Sequence, residues 1–177
     1  MKKGLGVCCV AVLVAAVAVA QEEFADIKNF FRVEKEFCTG GQPSLEYLAK
    51  MKQQGVKAVI NLRRANEYDA DAEAAKAKAL GLRYFHIPVD GAAPKDEQAD
   101  EFLKVTADSA NRPMFIHCAA ANRVGAFWMI RRVLVDKWKP EQAEEEATKI
   151  GLRSPVLRDF AVAYIARHQK KEVSGNR

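Results

Sequence analysis

An α/β fold with a central, mostly parallel sheet flanked by helices follows from three observations. Short apolar runs alternate with helical stretches, glycine and proline punctuate the junctions, and one apolar run passes through a short loop into a helix apolar on nearly every side. Strands buried on both faces read as near-continuous apolar runs, and the helices between them supply the cover.

The elements follow in order. Phe37 to Gly41 reads as a short edge strand ending in glycines. Gln42-Pro43-Ser44 opens a helix with Ser44 as cap, Leu45, Leu48 and Met51 as its apolar stripe, and Gly55 as its end. Val56 to Leu62 is a strand; a second helix lies within Tyr68 to Leu80, closed by Gly81; Leu82 to Val89 is another strand; and Asp90 to Pro94 is a loop. A helix from about Lys95 to Asp108 carries Phe102, Leu103 and Val105 inward, and Pro113 to His117 forms a short buried strand. Val124 to Trp138 is a helix, Pro140 starts another that runs to Gly151, and Ser154-Pro155 starts the last, to about Gln169. Proline just inside a helix start and glycine just past its end is the expected asymmetry. In open parallel sheets, ligands bind outside the carboxyl ends of the strands. His117-Cys118 lies at one such end and Val89-Asp90 at another.

Residues 1–20 carry Lys2 and Lys3, then an unbroken alanine-rich apolar run from Gly4 to Ala20, closing on Ala18-Val19-Ala20 before Gln21. This pattern is that of a cleaved secretory signal peptide, and the run is short of the roughly 20 residues that a spanning helix wants. The expected location is periplasmic or secreted, with no stable membrane insertion after cleavage, and Cys8 and Cys9 are expected to leave with the peptide. Without the two lysines, 26 basic residues stand against 23 acidic ones, a balance that makes no case for nucleic acid. Residues 21–177 suit one domain, since nothing between Phe24 and Gln169 reads as a linker or repeat. Cys38 and Cys118 remain, too few for a disulfide scaffold, and two thiols that never meet are preferred to a bond between them.

The chemistry concentrates in His117-Cys118-Ala119-Ala120-Ala121-Asn122-Arg123. A cysteine at a strand end is often mere packing. At a helix start, however, unpaired N–H groups and partial positive charge attract an oxyanion and favour thiolate over thiol. Arg123 can add a planar fork for two oxygens of a phosphate or sulfate. Arg63 and Arg64, at the end of the Ile60–Leu62 strand, read as a solvated surface pair that could instead extend the anion site. Lys137, Lys139, Lys170 and Lys171 read as ordinary solvated charge.

Three blocks, GGQPSLEYLAKMKQQGVKAVINLR, LGLRYFHIPVDGAAP and MFIHCAAANRVGAFW, resemble successive blocks of a bacterial, often exported, family related to tyrosine and dual-specificity phosphatases. The resemblance covers most of residues 37–165 and implies the cysteine-phosphatase fold, with a phosphate loop between the last core strand and a buried helix. It implies Cys118 as nucleophile through a phosphocysteine, Arg123 and the loop N–H groups of Ala119, Ala120, Ala121 and Asn122 as substrate grip, and Asp90 as the acid on a mobile loop. His117 would orient the loop and favour the thiolate. The implied partner is a phosphorylated protein or small molecule, and neither metal nor other cofactor is implied.

The loop departs from the family pattern. Four residues separate cysteine from arginine where most cysteine phosphatases have five, Ala120 and Ala121 stand where serine and glycine are frequent, and Val124 stands where a serine or threonine often helps expel the thiolate. Alanine resists the positive φ and the close approach to an anion that glycine allows, and with Val124 in place of that hydroxyl, slow hydrolysis of the intermediate is expected. Four-residue spacing is also that of rhodanese-like sulfurtransferases, against which Asp90 and the GGQPS and VINLR blocks weigh. A non-catalytic oxyanion-binding module is the third reading.

Overall fold

The computed structural model describes residues 24–175, with side chains to residue 170, so the expected signal peptide lies outside the described residues. Five strands form one sheet in the order β1-β2-β5-β3-β4. They are β1 (Phe31–Glu34), β2 (Phe37–Gly40), β3 (Ala58–Asn61), β4 (Arg83–His86) and β5 (Met114–His117). Only β1 and β2 run antiparallel; β2 with β5, β5 with β3, and β3 with β4 are parallel.

The predicted edge position of Phe37–Gly41 is corrected. β1 lies outside β2, whose four residues are all buried. The edge strand itself, Phe31-Arg32-Val33-Glu34, carries two charges and a register shift between Arg32 and Glu34, so no apolar run announces it. Charges and bulges of this kind keep an edge from pairing with another chain.

Six helices among the described residues cover both faces: α1 (Leu45–Gln53), α2 (Ala70–Ala79), α3 (Asp96–Ala107), α4 (Asn122–Leu134), α5 (Pro140–Ile150) and α6 (Pro155–Gly175). Alternation along the strands divides the core. Val59 and Phe115 face Phe24, Ile27, Leu48 and Met51, whereas Ile60 and Ile116 face Phe102, Phe127, Trp128 and Tyr164. Cys38 packs with the first group and Cys118 with the second, so the two free thiols stand on opposite faces of the sheet. The preferred reading of thiols that never meet holds.

α4 is the central helix, buried at every position from Arg123 to Val133. Its two inner cations are neutralised locally: Arg131 meets Asp136 at 2.5 Å, while Arg132 bonds Glu34 and Glu146 and lies over the rings of Trp128 and Trp138. Gly125 lets α5 come close, since a Cβ there would stand 2.7 Å from the Ala147 carbonyl oxygen.

Candidate active site

The parallel strands end on the same side, and the loop 118–121 closes over them between β5 and α4. Cys118 is 1% exposed and its N–H reaches the Gly40 carbonyl at 3.3 Å. The next two carbonyls are drawn outward: Ala119 O accepts from Gln42 N at 3.5 Å, and Ala120 O accepts from the Asn29 amide at 3.0 Å. In a trans peptide the N–H points opposite to the carbonyl, so the N–H groups of Ala120 and Ala121 turn away from Gln42 and Asn29.

Ala121 caps that helix in the left-handed region, at φ 61°, a conformation costing a non-glycine residue about 1–2 kcal/mol. Room for its methyl comes from Gly151, the cap of α5, whose φ is 140° and where a Cβ would meet Ala121 Cβ at 3.2 Å and Ala120 O at 3.1 Å. The glycine missing from the loop has its counterpart across the contact.

Arg123 is held from behind. Glu67 Oε1 and Oε2 accept from Nη1 and Nη2, each at 2.7 Å, and Val89 O accepts from Nη1 at 3.0 Å. Those three bonds leave Nε–H and the second Nη2–H, which lie side by side on one edge of the guanidinium and form a bidentate fork for an oxyanion. Burial works to lower the arginine's pKa, but Glu67 and the neighbouring Cys118 raise it above its ordinary value. The hydrogen bond from Arg123, against a smaller cost of burial and with help from Arg64, holds the Glu67 carboxyl at about 2.

Of the pair expected to be solvated, Arg64 is exposed yet lines the site, and Arg63 departs from the expectation. It bonds Glu67 Oε1 at 3.2 Å and Asp90 Oδ2 at 3.0 Å. Arg63 packs inward over the Tyr68 ring, donating to Gln42 Oε1 at 3.2 Å and to the Glu67 carbonyl. Asp90 also accepts from Ala92 N at 3.0 Å, so both its oxygens are acceptors in this arrangement. Arg64, Glu67, Asp90, Cys118, Asn122 and Arg123 line one cavity of about 420 Å³, with Ala119 and Ala120 at its wall.

The predicted substrate-gripping side chains therefore divide. Asn122 anchors the wall, its Oδ1 accepting from the N–H groups of Arg153 at 2.9 Å and Ser154 at 3.2 Å. Ala121 and His117 do not line the cavity; both are fully buried beneath it. His117 stacks on Phe115 and faces the buried Glu73 of α2, with Nε2 3.1 Å from Glu73 Oε1 but off the line of a good hydrogen bond. Glu73 also accepts from Gln42 at 3.2 Å, Asn61 at 2.7 Å and Tyr84 at 2.9 Å. Burial raises the Glu73 carboxyl, and these partners, His117 foremost, outweigh it and hold the group below its ordinary value.

Sequence reading missed Glu67, Glu73 and Asn29. Glu67 stood four residues after Arg63 in a segment without periodicity, and only its spacing to two arginines hinted at a pair. Glu73 sat among alanines in a helix with no clear stripe, so nothing marked that position as buried.

Comparison with known proteins gives concordant findings. The family model described as a DSP-PTPase phosphatase fused to NAD+ kinase matches residues 13–157. A beta-lactamase hydrolase-like protein of Xylella fastidiosa is 24% identical over 116 residues, covering 63% of this chain and 27% of its own length. This chain thus spans about a quarter of that relative. A putative phosphatase from Shewanella putrefaciens superposes with a TM-score of 0.70 at 24% identity, covering 83% of this chain and 97% of that one. TpbA of P. aeruginosa, solved in complex with pTyr, gives a TM-score of 0.60 at 22% identity, covering 77% of this chain and 82% of that one.

Proposed function

Because this chain belongs to the DSP-PTPase phosphatase family, we propose that it hydrolyses phosphate monoesters of the tyrosine or dual-specificity type, with Cys118 as nucleophile. The observation that carries the reading is the edge of Arg123 that Glu67 and Val89 leave open toward the buried Cys118 thiol in the same cavity. The thiolate attacks phosphorus, the bond to the leaving oxygen breaks, and the phosphoryl group passes to sulfur. Arg123 and the loop N–H groups hold the equatorial oxygens as charge redistributes. Asp90, at the cavity mouth, gives the leaving oxygen its proton and later takes one from the water that attacks the phosphocysteine. For that, Asp90 must let go of Arg64, which Glu67 still holds beside the cavity.

The substrate is a phosphorylated protein or small molecule. We assign its site to the periplasm or the exterior, on the strength of Lys2, Lys3 and the apolar run before Gln21.

The chain lacking residues 1–20 is expected to hydrolyse an aryl phosphate, with Cys118→Ser abolishing turnover and Asp90→Asn slowing it about 10²- to 10⁴-fold. Mass spectrometry of an acid-quenched reaction should find phosphate on Cys118. Failure to turn over a broad phosphate panel, with vanadate still bound through Arg123, would leave an oxyanion-binding module. Thiocyanate formed from thiosulfate and cyanide would make it a sulfurtransferase.

A further inference from the structure

The end of the molecule opposite the cavity is basic by more than its helix ends require. α1 to α4 each follow a parallel strand, so they start at the cavity end and finish at the other. Glu46, Asp71 and Asp96 stand in the first turns of α1, α2 and α3, and Lys52, Lys78 and Lys104 in their last turns. Helix dipoles account for that much. They do not account for the strand starts at the same end, where Lys57 precedes β3, Arg83 opens β4 and Arg112 stands just ahead of β5, nor for Lys35 in the turn from β1 to β2. Main-chain bonds set these positions side by side: Met114 N donates to Glu36 O at 2.9 Å, Lys57 N to Pro113 O at 2.7 Å and Arg83 N to Lys57 O at 2.9 Å. The acids beside them are taken up by arginines, Glu36 by Arg112 at 3.3 Å, Asp108 by Arg83 at 3.5 Å, and Asp136 by Arg132 at 3.0 Å. Lys35, Lys57 and Lys78 are exposed and meet no acid among the described residues.

The apolar N-terminal run leads into this end as well. Phe24 lines a small cavity of about 40 Å³ with Lys35, Gln54 and Pro113, and only Gln21, Glu22 and Glu23 separate it from the run that closes on Ala20. A chain brought to a bilayer by that run meets it with the basic end foremost. Val135, 43% exposed, and the half-buried Trp138 follow α4 there and add apolar surface. No helix among the described residues is long and apolar enough to cross a membrane.

We propose that this end is a docking surface for a bilayer carrying anionic phospholipid, whose headgroup phosphates meet the lysines while the cavity faces away. The contact is peripheral. α4 runs from the cavity loop to the basic end, and its 13 residues hold the two about 20 Å apart, roughly two Debye lengths at physiological salt. The acidic first turns at the cavity end are repelled by the same surface, which selects one orientation. The apolar run and Trp138 favour a bilayer over a nucleic acid, which would offer the lysines phosphates but no apolar layer.

The test is cosedimentation with vesicles of the chain lacking residues 1–20, which keeps every element of the fold. It should pellet at low salt with equal parts phosphatidylglycerol and phosphatidylcholine, stay in solution with phosphatidylcholine alone, and be released by high salt. Lys35→Gln, Lys57→Gln and Lys78→Gln combined should weaken the partition about 10²-fold, since each lysine near the surface contributes roughly five-fold. Lys28→Gln, Lys95→Gln and Lys149→Gln combined remove the same charge at the cavity end, and should change it less than about two-fold. Equal losses in the two triples overturn the proposal, because net charge and not this face would then be at work. The unaltered chain decides the matter alone if a triple misfolds by circular dichroism: failure to pellet with the anionic vesicles overturns the proposal, as does binding to a nucleic-acid duplex with none to the vesicles. No arm needs turnover, so the result stands apart from that for phosphatase activity.

Discussion

Glu67 gives Arg123 its aim, because a guanidinium with one edge pinned by a carboxylate and a carbonyl loses little further freedom when an oxyanion meets the other edge. Removing that clamp should weaken vanadate binding about 10-fold or more in Glu67→Gln, since a charge-assisted hydrogen bond contributes about 1.5–3 kcal/mol. Titration calorimetry checks it, and an affinity equal to that of the unaltered chain would show that Arg123 orients itself. The same carboxyl leaves a mark on stability. Held at about 2 in the folded chain against an ordinary 4.5, it adds stability that is fully present above about 4.5 and is lost as the pH falls toward about 2. The gap in Tm between the unaltered chain and Glu67→Gln should therefore narrow below pH 4.5. A gap that widens on acidification would mean the carboxyl is not ion-paired in solution.

Among the elements, α4 sets the loop because its own position is fixed on every side. Gly125 brings the end of α5 against it, and a methyl there would meet Ala147 O at 2.7 Å and Leu152 Cβ at 2.9 Å, with backbone on one side that cannot swing away. Gly125→Ala is expected to cost about 1–3 kcal/mol in urea denaturation, despite the better helix propensity of alanine. A neutral or stabilising result would show that α5 can slide outward. This helix was also the most legible element, since an apolar run from Val124 through Ile130, too long for a typical strand, reads as a buried helix. The strand end before Cys118 was readable too, whereas the strand expected to run to Val89 stops at His86, so Asp90 sits beyond a short extended stretch and not at a strand end. β1 was not, because a half-exposed edge strand with alternating charges carries little hydrophobic signal. The partners of Arg123 were hidden for another reason: Glu67 lies in an irregular stretch and meets Arg123 across 56 residues of chain, a juxtaposition that only the folded sheet creates.

For the molecule as a whole, the segment before β1 closes the sheet face opposite α4. Phe24 is 1% exposed, its ring 4.9 Å from that of Phe30 and 5.7 Å from that of Tyr47. The same segment reaches the loop 118–121 through Asn29 on Ala120 O, and it holds the neighbouring Gly41, Lys28 O accepting from Gly41 N at 2.7 Å. Phe24→Ala should cost about 3–5 kcal/mol in chemical denaturation and weaken vanadate binding in the still-folded protein. Loss of stability with untouched affinity would show that the segment braces the sheet but not the loop.

The placing of Cys38 and Cys118 on opposite faces of the sheet decides how the protein would age under oxidants. A sulfenic acid formed on Cys118 finds no resolving thiol among the described residues, so it cannot retreat into a disulfide with Cys38. Recovery then depends on small thiols from outside arriving before a second oxidation to sulfinic acid makes the damage permanent. After a brief peroxide pulse, added thiol should restore reactivity in full, and after a long one it should not.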